Sequence, residues 1–494
     1  MDLLSALPDD LLVTILDGLD TRSALALATA ILARRWARLP RQLHAIDFRV
    51  TDMFPLAFHV SDDLLEEHMR RAMASYNDAL DSFTEADADE DDNGGYIPRR
   101  LERLRLEFLD PDEPFSIDRL IAKAVTNWGV EDLEVRVKRS PWAMWFRRVA
   151  YLFPHELLNN ESVQRIGCLT LGGFDVLPPL HEYGGLTTLI LQDISQPMTV
   201  YTGVVSMCTW LRSVHLRRCR AKTYDGIPTP RVMEVDAPAS GLRELVVDRC
   251  SFSVIRLLSL PVLERMECSR SFLILAFGNV PSLGHVNLDK GFIIVEGEPW
   301  DRYQYDYALN KYLAAVIPAA ATELVLRFIG SYRWATPWFA GVTPFPGLRR
   351  LLVEDVPFNW DLSWPCLLRL LRAAPSLEAL HVSIAGCEDS RGRQPHNVWV
   401  PTNFRHAHLE ELVIVGFKLT MRQARLVTFA MRVCKRLQRV ILVKGGHVDV
   451  RGLCRGWEVV VSPESAWSDE EKAATEKEIR TPEYYKIQGR LVFA

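Results

Sequence analysis

From residue 101 onward one hydrophobic pattern recurs: an apolar residue, two variable positions, a second apolar residue, one variable position and a third apolar residue. It reads LERLRL at 101, VEDLEV at 130, IGCLTL at 166, LTTLIL at 186, LRSVHL at 211, LRELVV at 242 and LERMEC at 263. It continues as LGHVNL at 283, ATELVL at 321, LRRLLV at 348, LEALHV at 377, LEELVI at 409 and LQRVIL at 437. The last two apolar positions lie two apart, so both face inward from a short strand and the residue between them faces out. One such strand cannot bury its face, whereas a stack of them can.

The outward positions form an expected column of Arg105, Glu134, Thr170, Ile190, His215, Val246, Glu267, Asn287, Val325, Leu352, His381, Val413 and Ile441. Its first part is mostly polar and its last five residues mostly apolar. An exposed apolar strip on a sheet suggests a groove for a partner or small ligand, lined by Val325, Leu352, His381, Val413 and Ile441. The alternatives are that the terminal repeats or the 443–494 tail fold back over it, or that the register slips by one residue there.

Residues 1–50 read differently. In LPDDLLVTILDGLD the residues Leu11, Leu12, Ile15, Leu16 and Leu19 recur at helical spacing. Pro8 suits a first turn, and Asp9 and Asp10 complement the positive end of the helix dipole. A second helical segment carries Ala24, Leu25, Leu27, Ala28 and Ile31, and a third carries Trp36 and Leu39 before Pro40. The run EADADEDD at 85–92 repels itself and reads as a solvated loop.

Composition narrows the class. The 494 residues are 48% hydrophobic and 24% charged, ample for a large core, and a net charge of −5 gives no basic footprint for general nucleic-acid binding. The nine cysteines are odd in number and form no CxxC pair, so buried free thiols are expected. Asp9 and Asp10 interrupt any apolar leader, and no apolar run is long enough to span a bilayer. The expectation is a protein of the cytoplasm or nucleus that meets neither membrane nor nucleic acid.

Two resemblances follow from these residues. The thirteen repeats start 20 to 38 residues apart, around the period of leucine-rich repeats. Leu7, Pro8, Leu11 and Leu12, followed by Ile15, Leu16 and Leu19 and by the segment Leu32-Ala33-Arg34-Arg35-Trp36, resemble the F-box family, with Ala33 where many members have Ser or Cys. The segment at 408–442, through Leu409, Gly416, Phe417, Leu426, Phe429, Leu437 and Val440, looks like the FBD region of plant F-box/leucine-rich-repeat proteins.

That likeness implies an α+β repeat fold, a three-helix N-terminal F-box followed by a curved leucine-rich-repeat solenoid. It divides the chain into an F-box at 1–50, a connecting segment at 51–100 with an acidic loop at 85–95, repeats at 101–407, FBD-like terminal repeats at 408–460 and a tail at 461–494. It implies docking to a Skp-type adaptor, and through it a cullin–RING ligase, by Leu7, Pro8, Leu11, Leu12, Ile15, Leu16, Leu19 and Trp36. The repeat surface would then select an unidentified protein substrate. The other readings are a ligand-sensing F-box receptor and a scaffold without adaptor binding.

No motif for phosphate binding, zinc hydrolysis or a serine nucleophile occurs, so no catalytic residue and no cofactor is expected. His396, His406 and His408 lack the carboxylate or cysteine partners of a metal site and read as ordinary surface histidines. The Trp-rich stretches PWAMWF at 141–146 and RWATPWF at 333–339 read as core filling or as stacking platforms for a ligand.

Overall fold

The apolar triplets fold as their spacing dictates. In a computed structural model, Leu104 and Leu106, Leu133 and Val135, Leu169 and Leu171, and Leu189 and Leu191 are inward strand pairs with essentially no exposed surface. The leading apolar residues Leu101, Val130, Ile166, Leu186 and Leu211 are buried beside them. The structure describes residues 8, 11, 14, 43–53, 65–85, 100–109, 114–138, 151–222, 231–271, 273–289, 293–294, 320–327, 345–357, 364–385, 404–450, 456–480 and 489–494.

The expected architecture of a three-helix F-box followed by a curved leucine-rich-repeat solenoid is corrected. The described residues form a large, mostly parallel sheet of fifteen strands with only eight α-helices. Two local patterns account for the difference. Ala45–Arg49, expected within the N-terminal helical module, alternates apolar and polar residues with period two, and Ile46 and Phe48 are buried while their neighbours are partly exposed. It is therefore a strand, paired in parallel with Arg103–Leu109. Between residues 230 and 294, the segments that return the chain hold a second parallel sheet in place of helices: Val232–Asp236, Val254–Ser259, Leu273–Asn279 and Ile293–Ile294.

The chain divides into two compact units, Met1–Thr229 with Ser240–Leu242, and Pro230–Ala239 with Arg243–Ala494. The first holds the strands Ala45–Arg49, Arg103–Leu109, Asp132–Lys138, Cys168–Gly172, Thr188–Gln192 and Ser213–Arg217. A 21-residue helix, Leu65–Glu85, turns Ala72, Tyr76, Leu80 and Phe83 inward at spacings of four, four and three. Phe83 meets Phe48 and Trp128 edge to face at 5.4 and 5.7 Å, and the Tyr76 hydroxyl donates to the Phe48 carbonyl.

The second unit holds nine strands of the large sheet, from Glu244–Asp248 to Arg490–Phe493. Helices Trp364–Ala373, Met421–Val433 and Asp469–Ile479 belong to it. The last of these starts at a capping box formed by Ser468 and Glu471. Trp467 donates its indole N–H to the carbonyls of Leu442 and Ala494 and lies against Phe493 and Phe417, tying helix and final strand to the sheet.

A left-handed residue follows one strand after another: Gly173, Asp193, Arg218, Arg249, Arg270 and Gly416 all have φ between 49° and 77°. In the first unit the N–H groups of Gly173 and Asp193 donate to the last carbonyls of the next strands, those of Gln192 and Arg217, at 2.9 Å. Each turn thus extends the ladder by one bond while ending the strand. At Gly173 a Cβ would lie 2.0 Å from the Val137 carbonyl oxygen, so no other residue fits without a shift.

Candidate functional site

The outward column forms in the register that the spacing predicts. Arg105, Glu134, Thr170, Ile190 and His215 are successive partners in the first unit. Val246, Glu267, Asn287, Val325, Leu352, His381, Val413 and Ile441 are successive partners in the second. The column keeps its register through the apolar end; the shift between Val353 and Val356 lies beyond Leu352.

The first-unit part is a self-neutralised charge network. Glu134 lies 3.2 Å from Arg105 and 2.6 Å from Arg136, and Glu107 accepts from Thr51 and pairs with Lys138 at 3.1 Å. Its carboxylates are satisfied by neighbours on the same face.

In the second unit the apolar strip is covered. Leu352 has no exposed surface, Val413 retains 2% and Val325 6%. Strands Gly446–Val450 and Trp457–Val461 form an antiparallel hairpin whose inner residues Val448 and Trp457 join Val325, Leu352, Val413, Val415 and Val443 in one cluster. Ile441, Val450 and Val459 pack against it. The strip is therefore not an open groove in this structure; part of the 443–494 segment folds back over it. Burial of β-branched and leucine side chains on both faces supplies the adhesion.

A polar frame fixes the hairpin. The Trp457 indole N–H donates to His381 Nδ1 at 2.7 Å, and the two rings stand edge to face, 5.5 Å apart. His381 Nε2 lies 2.9 Å from Glu411 Oε1, and Glu411 also pairs with Arg439 at 2.7 Å. The His381 hydrogen bond, reinforced by Arg439, holds the Glu411 carboxyl below the usual carboxylate range. Arg350 lays its guanidinium 4.5 Å over the Trp457 ring while pairing with Glu323 at 2.6 Å. Glu323 also bonds His285 at 2.9 Å, and that bond, followed by Arg350, holds its carboxyl low.

Sequence reading named His381 but missed Trp457, Arg350, Glu323 and Glu411. The signal was there: GHVDV at 446–450 and WEVVV at 457–461 are two β-rich runs separated by a short Gly-bearing segment, a hairpin pattern.

Of the adaptor-facing candidates, Pro8 is exposed and Leu11, at a helical position, is 51% exposed. Leu7, Leu12, Ile15, Leu16, Leu19 and Trp36 lie outside the described residues, as do His396 and both Trp-rich stretches. His406 is a buried strut: Nε2 bonds the Ala374 carbonyl at 3.1 Å, and Nδ1 accepts from the Leu409 N–H at 3.1 Å. Burial pushes its pKa below that of a free imidazole. No group of three or more metal-ligating side chains occurs among the described residues. Burial raises the Cys434 thiol to about 12, an unreactive value. Leu409, Phe417, Leu426, Phe429, Leu437 and Val440 of the FBD-like segment are all buried, and Gly416 is a left-handed turn.

Compared with known proteins, the chain matches no protein-family model and no curated protein sequence. Among the described residues no helix is long and apolar enough to cross a membrane.

Proposed function

We propose that the chain is a substrate-recognition subunit of an SCF-type ubiquitin ligase, working in the cytoplasm or nucleus without catalytic residues of its own. The N-terminal segment docks on a Skp-type adaptor, and the sheet-bearing remainder presents a protein target to the cullin–RING assembly. The observation that carries this reading is the F-box-like run through Leu7, Pro8, Leu11, Leu12, Ile15, Leu16, Leu19 and Trp36. The half-exposed Leu11 supports it, because a large apolar side chain at the surface gains by burial against a partner.

The test is a pull-down of a purified Skp-type adaptor by the full chain. Leu7→Ala combined with Pro8→Ala is expected to abolish capture while circular dichroism stays unchanged, since truncating buried interface anchors costs about 2 kcal/mol or more. Undiminished capture by the folded double variant would overturn the assignment.

A further inference from the structure

We propose that the hairpin at 446–461 is a proton-released strap, held over the apolar strip by the Trp457–His381 hydrogen bond and loosened when His381 takes up a second proton. The argument is one of hydrogen-bond polarity. An indole N–H only donates, so at 2.7 Å His381 Nδ1 must accept and carry no proton. The single proton of the neutral ring then sits on Nε2 and is donated to Glu411, 2.9 Å away. A second proton on Nδ1 sets a donor against a donor. The imidazolium keeps Glu411 but must let go of Trp457.

The charged groups around the latch are few and fixed by pairing. Glu411 faces His381 from the neighbouring strand, and Arg439, one strand further on, pairs with that same carboxylate. Arg350, backed by Glu323 and His285, sits on the far partner, Trp457. It holds the indole by its face and offers no substitute for the lost edge contact. Asp449 and Glu458 are exposed cross-strand partners within the hairpin. The His381→Gln variant keeps both carboxylates and so separates their contribution from that of the latch. His447 is exposed opposite Val460 and does not touch the latch in the register observed.

This strap is independent of adaptor docking. It is tested by hydrogen exchange of the full chain across the imidazole range, roughly pH 8 to 5, corrected for intrinsic rates. Peptides covering 446–450 and 457–461 are expected to exchange about tenfold faster at the acid end relative to 411–415 and 439–443, which report the stability of the unit as a whole, a factor of ten being a readily resolved change in opening equilibrium. His381→Gln keeps one acceptor and one donor at every pH and is expected to remove the response. Trp457→Phe is expected to give fast exchange at both ends. A wild-type hairpin with the same protection at both pH values, or a His381→Gln variant that still loosens in acid, would refute the proposal.

Discussion

Two histidines in one unit show how differently the same side chain is used. His406 is wedged between the Ala374 carbonyl and the Leu409 N–H, where a neutral ring satisfies both partners. Burial lowers its folded pKa, so the unfolded chain binds the proton more readily. The stability it contributes is complete above the unfolded value of about 6.5 and is lost as pH falls through the lowered folded value. Urea midpoints measured from pH 8 to 5 should therefore decline on the acid side, and His406→Gln should flatten that decline. An equal slope in the variant would remove His406 as the cause. Residues of this kind were not legible: the sequence reads His406 with His396 and His408 as ordinary surface histidines, whereas it is buried against a partner, Ala374, that is 32 positions away and carries no chemical label.

At the scale of elements, legibility follows how local the cause is. Thirteen of the fifteen strands of the large sheet are each written in an apolar triplet spanning six residues, and Leu324-Val325-Leu326 or Leu351-Leu352-Val353 is readable without knowing what lies beside it. Helix Leu65–Glu85 is also locally coded, through Ala72, Tyr76, Leu80 and Phe83, yet its polar majority masks the stripe. The N-terminal strand was misread because Ala45–Arg49 follows a helical pattern and is only five residues long. The hairpin's position is the least local fact of all, since Trp457 meets His381 from 76 residues away. Leu352 tests the hairpin's contribution. With Leu352→Asp, a charge replaces a side chain that has no exposed surface, at a cost of about 4 kcal/mol or more. Hydrogen exchange should show the loss in 446–461 and in strands Glu323–Arg327 and Ala379–Ala385, with Glu244–Asp248 spared. Uniform loss across the unit, or none, would contradict this account of the cluster.

For the molecule as a whole, a parallel sheet whose strands pair in sequence order grows by addition, each strand being the template for the next. Such a sheet must also stop, and among the described residues its two margins are Ala45–Arg49 and Arg490–Phe493. Both are short, and Asp47, Arg49 and Arg490 place charges along them, devices that discourage pairing between molecules. The penultimate strand, Arg439–Val443, is built differently: RVILV is almost wholly β-branched or leucine and would make an adhesive margin. Removing residues 489–494 is therefore expected to give a protein that self-associates in light scattering, even where circular dichroism changes little. A truncated chain that stays monomeric at the concentrations tolerated by the full one would contradict this. The last strand thus acts as a selvage, the finished edge that keeps one molecule's sheet from being continued by another's.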